Sequence, residues 1–252
     1  MTSKQFLPTS LLATILCFLV ACNGNEEKTG TDTADSDTAT TTTDTSATMA
    51  EPVATSTVTR TPQGMFMAKH RVANFSKWMA SYEAHDSMRL ANGLHSYVIG
   101  RGVQDTNMVL VVVKADDMAK AKAFSKDASL KKAMQAGGVI SAPTMQHLNA
   151  TYQDTAVLSD AMRSLSVFNV KDWVNWQKGF EDGRSERIEN GIADRVYGND
   201  PENPNKVVVV TAAVDSAKAT AYWKSDKLKQ RREAGGVIGS PDRFLFRIVK
   251  RY

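Results

Sequence analysis

The five residues Ala-Gly-Gly-Val-Ile stand at 136–140 and again at 234–238, an offset of 98. They belong to a longer duplication, because residues 72–143 align with 170–241 without a gap and 28 of those 72 pairs are identical. Val72 meets Val170, Trp78 meets Trp176, Arg89-x-x-Asn92-Gly93 meets Arg187-x-x-Asn190-Gly191, and Leu130 meets Leu228. Self-similarity at one fixed offset means a supersecondary unit built twice, so a fold that suits one copy must suit the other. The expected modules span 61–155 and 160–252, each the size of a small domain.

Both copies read in the same order. A strand (65–72; 163–170) leads to Asn74 or Asp172, residue types whose side chains cap a helix N-terminus. The helix that follows carries Phe75, Trp78, Met79 and Tyr82 on one stripe, answered by Trp173, Trp176, Gln177 and Phe180. Asn-Gly at 92–93 and 190–191 supplies the left-handed residue that stops it. Two strands joined by a polar turn come next. A second helix starts at Asp117 or Asp215, breaks near Lys126 or Lys224, and ends at the paired glycines, before a last strand at 144–151 or 242–251.

This β-α-β-β-α-β order is ferredoxin-like, an α+β arrangement with both helices on one face of a four-stranded antiparallel sheet. The third strands, Val109 to Val113 and Val207 to Val210, are continuously apolar, as strands buried on both faces are. Since helices cover one face, the sheet of the other copy is expected to cover the second.

The pattern resembles the dimeric α+β barrel superfamily, whose small modules carry a strand ending in His-x-Val-x-Asp-aromatic-x-x-Trp and a later Ala-Gly-Val-x-x-x-Pro. The matching residues are His70, Val72, Asn74, Phe75, Trp78, Ala136, Gly138, Val139 and Pro143 in the first copy, and Phe168, Val170, Asp172, Trp173, Trp176, Ala234, Gly236, Val237 and Pro241 in the second. The resemblance covers 65–252 and implies two tandem ferredoxin-like modules packed sheet to sheet as an intramolecular barrel, hence a monomer. Members include cofactor-free monooxygenases, haem-degrading enzymes, dye-decolourising peroxidases, muconolactone isomerases and modules of no known activity. The catalytic sets of the haem-degrading and peroxidase members do not map onto this chain.

The N-terminal 22 residues have one charge, Lys4, and an apolar run from Leu11 to Ala21 too short to span a bilayer, which reads as a signal peptide. Its end, Leu19-Val20-Ala21-Cys22, resembles the bacterial lipobox, which implies acylation of Cys22 and a membrane as partner. With Asn23 after it, the expected address is the outer membrane. Cys17 lies in the segment to be removed, so the folded part is expected to have no thiol chemistry. Residues 23–60 are rich in Thr and Asp and nearly free of large apolar residues, and are expected to form a disordered tether. Asp32-Thr33-Ala34 and Asp37-Thr38-Ala39 in it resemble O-glycosylation sequons. From 61 onward 28 basic residues face 20 acidic ones, but they are interspersed, and neither that pattern nor the export signal suits a nucleic-acid partner.

Residues that differ between the copies are where a site is sought, because identical ones solve a shared packing problem. All four histidines, His70, His85, His95 and His147, are in the first copy, opposite Phe168, Gly183, Ala193 and Leu245. His70, His95 and His147 fall on three strands, and facing the barrel interior they would meet as acid/base groups or haem ligands, with Tyr97 beside them. His85, on the first helix, is expected at the surface. Arg89 and Arg187, in a last helical turn, are candidates for gripping a ligand as well as for a structural role. No metal-binding spacing is present. Three readings stay open: a lipoprotein binding a small apolar or aromatic molecule in a barrel cavity; a monooxygenase-like or haem-binding enzyme; and an interaction module of an envelope assembly.

Overall fold

The computed structural model describes residues 56–252. The signal peptide, Cys22, the sequons and most of the expected tether lie outside the described residues. The chain runs β1 (Val58–Thr59), β2 (Gln63–Arg71), α1 (Phe75–Ala84), α2 (Asp86–Ala91), β3 (Leu94–Gly102), β4 (Met108–Ala115), α3 (Met118–Ser125), α4 (Ala128–Ala136) and β5 (Thr144–Asp154). The second module repeats this as β6 (Met162–Val170), α5 (Trp173–Asp182), α6 (Arg184–Glu189), β7 (Ile192–Asn199), β8 (Lys206–Ala213), α7 (Ser216–Trp223), α8 (Asp226–Ala234) and β9 (Val237–Arg251).

The local signals act where the sequence puts them. Asn74 and Asp172 accept from the backbone N–H of Lys77 and Asn175, at 2.9 and 2.8 Å, and so fix the start of α1 and α5. Gly93 and Gly191 take φ of 65° and 68°, which a side chain would resist. The second helix of each module breaks at Lys126 and Lys224. The first also breaks, at His85 and Gly183, where the sequence reads as one continuous helix. Arg89 fills the gap, donating to the Tyr82 carbonyl at 2.6 Å.

The sheet of module one is ordered β5-β2-β4-β3 and that of module two β9-β6-β8-β7. The two join at both edges, β3 to β9 and β5 to β7, all antiparallel. The expected sheet-to-sheet pairing is thus a closed eight-stranded barrel. Closure removes the sheet edges that would otherwise invite pairing with other chains. β1 pairs with Gln153 and Asp154 of β5, and Arg60 reaches Glu181, so ordered structure begins before the tether boundary expected at 60.

Alternation decides what the barrel holds. Met65 and Met67 of β2 point inward, with Leu110, Val112, Leu148, Leu165, Val208 and Phe246 from the other strands around them. Met65, Leu148 and Val208 have no exposure at all. Phe66, Ala68 and Val72 point outward under α1 to α4, together with Val109, Val111 and Val113. The valine-rich strands are therefore covered on both faces, as their composition required. The interior is side chain throughout, and the hollow between Met67, Leu110 and Phe244 measures about 10 Å³, room for a single water. The expected ligand cavity inside the barrel is corrected accordingly: methionines and leucines of the first copy and leucine, valines and phenylalanines of the second together fill an eight-stranded barrel.

Candidate functional site

Two spaces lie between the sheet and the helices, once in each module and at equivalent positions; a third, an open hollow of about 420 Å³, lies between α3, His147 of β5 and Pro201–Glu202. In module one, a pocket of about 100 Å³ has Phe66, Ala68 and His70 of β2 and Val111 and Val113 of β4 as its floor. Trp78, Tyr82, His85 and Arg89 form one wall; Phe124, Leu130 and Met134 form the other. In module two the pocket measures about 230 Å³, with Ser164, Ser166 and Phe168 in place of Phe66, Ala68 and His70. The larger volume has a structural cause: the helix-side core of module one is one continuous cluster, whereas that of module two is split into a Trp176–Tyr197 group and an Ile192–Tyr222 group.

The three strand histidines do not meet. His70 follows Phe66 and Ala68 at a spacing of two, so it faces the helices rather than the barrel interior. It is 2 % exposed, its ring lies 5.6 Å from that of Trp78, and neither ring nitrogen has a partner. Burial alone pulls its pKa down to about 4, so at neutral pH it is an uncharged imidazole with one free donor and one free acceptor. His147, opposite Phe66 in register, also faces outward; its ring lies 5.2 Å from that of Phe66, on a hollow shared with Lys122 and Glu202. Burial lowers its pKa, while Asp200 and Glu202 pull the other way. His95 is exposed and bonds Asp116 at 2.9 Å. Tyr97 packs against the barrel filling with the Lys114 ammonium 4.6 Å from its ring centroid. The proposed convergence of His70, His95, Tyr97 and His147 is corrected. The pleat turns His70 and His147 outward, and β4 separates β2 from β3.

Each arginine candidate lines its pocket, already engaged. Arg89, 7 % exposed, bonds the Tyr82 carbonyl, Ser96 at 3.2 Å and Asp86 at 2.9 Å, and stacks 3.6 Å over Tyr82. Arg187 forms two 2.7 Å bonds with Asp194 and stacks 3.6 Å over Phe180. His85, expected at the surface, is half-buried and lines the module-one pocket, its Nδ1 2.7 Å from the Ser81 carbonyl. Residues not singled out in advance are Ser164, Ser166, Arg232 and Arg243 of module two. Their signal was available in the repeat, since each departs from an apolar residue in the first copy.

A haem needs an axial ligand and room in one place. Here the buried imidazole sits in the smaller pocket, well below the ~300 Å³ at which sites for larger ligands begin. The larger pocket has no histidine or cysteine in its lining, and its tyrosine, Tyr222, bonds Glu186 at 2.7 Å. His147 borders the open hollow of about 420 Å³, but its Nε2 is sealed from solvent, and the residues lining the two helix-side pockets do not fit a haem.

No family model matches the sequence, and no curated protein matches it in sequence. Solved structures match in three dimensions. An anthrone oxidase-like protein superposes with a TM-score of 0.53 at 12% identity, over 75% of this chain and 92% of its own. A chlorite dismutase candidate gives 0.52 at 13% identity, over 75% and 96%. A monooxygenase candidate from Fusobacterium nucleatum gives 0.51 at 12% identity, over 75% and 93%. At such identities the likeness is one of fold, and the fold is the dimeric α+β barrel, with both halves supplied here by one chain.

Proposed function

We propose that this chain is an envelope lipoprotein, held to the outer membrane through acylated Cys22, whose module-one pocket binds a small aromatic molecule carrying one hydrogen-bonding group. The observation that supports this reading is His70. A buried imidazole with neither nitrogen satisfied is costly to keep unless something visits it, and it stands on the floor of an otherwise apolar pocket. At about 100 Å³ the pocket is smaller than the roughly 150 Å³ that encloses benzene, so the ring of a single-ring ligand would lie only partly enclosed, against Trp78 and Tyr82, with its polar atom on His70.

The oxygenase reading draws support from the candidate monooxygenases that share the fold. It requires a base whose pKa lies near the working pH, and His70 at about 4 is a hydrogen-bonding group rather than a proton acceptor. Binding is therefore the better-supported use of this pocket.

Phenol and toluene separate the two contributions. Phenol is expected to bind wild type several-fold more tightly than toluene, the worth of one neutral hydrogen bond. His70→Phe, which installs the residue found at position 168, should erase that preference and leave toluene unchanged. Equal affinities of phenol and toluene in both proteins would remove His70 from any binding role. For the anchor, Cys22→Ala is expected to leave an unprocessed or soluble protein; unchanged partition into the membrane fraction would defeat that part.

A further inference from the structure

The two helix-side pockets occupy the same place in the fold, yet their linings diverge. Module one presents Phe66, Ala68, Val113, Met134 and Met145 where module two presents Ser164, Ser166, Thr211, Arg232 and Arg243. Strand pairing sets Ser164 opposite Thr211 and Ser166 opposite Arg243, so three hydroxyls and a guanidinium share the helix-facing side.

Four arginines line this cavity, and two are accounted for. Arg187 is paired with Asp194, and Arg231 holds Glu186 through bonds of 3.0 and 2.7 Å. Arg232 and Arg243 make no hydrogen bond or ion pair among the described residues. Arg243 lies 4.9 Å from the ring centroid of Trp223, and its Nε is sealed from solvent without a partner. A partly desolvated guanidinium without an anion is unfavourable. The pKa of Arg243 follows, drawn down to about 10 by burial and then by Arg232. The remaining surface is aromatic, with Phe168, Trp176 and Phe180 on one wall.

We propose that the module-two cavity binds a small organic carboxylate with an aromatic or compact apolar body, its carboxylate on Arg232 and Arg243 and its body against Phe168, Trp176 and Phe180. The planar guanidinium fork matches a carboxylate, and the charge-assisted bonds would supply what both arginines lack. The volume of about 230 Å³ exceeds the roughly 150 Å³ that accepts benzene, which leaves space for a substituent on the ring. This site shares no residue with the module-one pocket and does not rest on the reading given to it.

The test is calorimetric titration of the full chain with benzoate, benzyl alcohol and inorganic phosphate. Benzoate is expected to bind at least about tenfold more tightly than benzyl alcohol, the scale of a charge-assisted hydrogen bond, and more tightly than phosphate. Arg243→Met and Arg232→Met place in module two the residues that module one already tolerates, and each is expected to weaken benzoate at least about tenfold. His70→Phe should leave benzoate binding unchanged, which separates this site from the other. Without ligand, Arg243→Met should melt no lower than wild type, and benzoate should raise the melting temperature of wild type alone. Equal benzoate affinity in wild type and the methionine variants would overturn the proposal, as would phosphate binding as well as benzoate. Should Arg243→Met fail to fold, Arg243→Lys carries the test, and an undiminished benzoate shift in that variant overturns it.

Discussion

The two pockets are descendants of one sequence in one fold, and they differ most where each arginine of the last helical turn finds its partner. Arg89 is held by a backbone carbonyl, a serine hydroxyl and a half-exposed aspartate, whereas Arg187 is held by two bonds to a single buried carboxylate, Asp194. Position 96 is serine and position 194 aspartate, a one-residue difference that moves a negative charge into module two. That module then also carries Glu186 where module one has Met88, and three further arginines. Duplication kept the frame, and divergence of a few lining residues turned one pocket apolar with a neutral imidazole and the other polar and cationic.

The comparison breaks most sharply at Asp194. Asp194→Ala leaves Arg187 buried without its anion, and unfolding free energy should fall by about 3–5 kcal/mol. The matched change, Ser96→Ala, removes bonds from Arg89 and from the Tyr82 hydroxyl but leaves Arg89 its carbonyl and Asp86, so the loss should be about 1–2 kcal/mol. Denaturant unfolding of the two variants gives the difference directly. Equal losses would mean that the charge at 194 does not distinguish the modules.

His70 against Phe168 comes next, through pH. The folded pKa of about 4 lies below the ordinary histidine value of 6.5, so between these values the unfolded chain binds the additional proton. Stability from this group is therefore complete above about pH 6.5 and declines as the pH falls toward 4, by about 3 kcal/mol at most. His70→Phe should flatten that acid limb, since Phe168 shows the position accepts a ring without a titrating group. A variant curve parallel to wild type from pH 7 to 4 would place the titration elsewhere.

Much of the architecture was legible because it rests on local chemistry repeated twice. Asn74, Asp172 and the Asn-Gly pairs set the helix ends, and the unbroken valines of β4 and β8 required cover on both faces. What fills the barrel was not legible. Met65 and Met67 read equally well as walls of a cavity or as its filling, and only the joint volume of eight strands decides. The facing of His70 was in principle readable from its spacing of four from Phe66, but nothing in the sequence says which side of a doubly buried strand is the barrel. The helix break at His85 and Gly183 left no shared residue type to signal it. The polar lining of module two was the most readable feature overlooked, because Ser164, Ser166, Arg232 and Arg243 each replace an apolar residue of the first copy.

Haem titration tests both pockets at once. No Soret shift is expected on adding haem to the full chain, because His70 sits in the smaller helix-side pocket, the larger one has no histidine, and the Nε2 of His147 beside the open hollow of about 420 Å³ is sealed from solvent. A shift abolished by His70→Phe would show that the module-one pocket opens far beyond about 100 Å³, and would reverse the ranking of the two pockets by size.

The smallest effect belongs to the one feature the modules do not share. β1 has no counterpart preceding β6, and Arg60 beside it reaches across to Glu181, at 2.8 Å, with the Tyr197 hydroxyl also on Glu181. That contact ties the entry of module one to α5 of module two, but Arg60 is 55% exposed at its side chain, where solvent screens the pair. Arg60→Ala should therefore lower stability by no more than about 1 kcal/mol, and less in high salt. A loss of several kcal/mol would mean that β1 is a structural clasp of the barrel seam. The near-neutral result would instead locate the seam's strength in the β5–β7 ladder, where Gly198 lies against the Asn149 carbonyl so closely that a side chain there would force the strands apart.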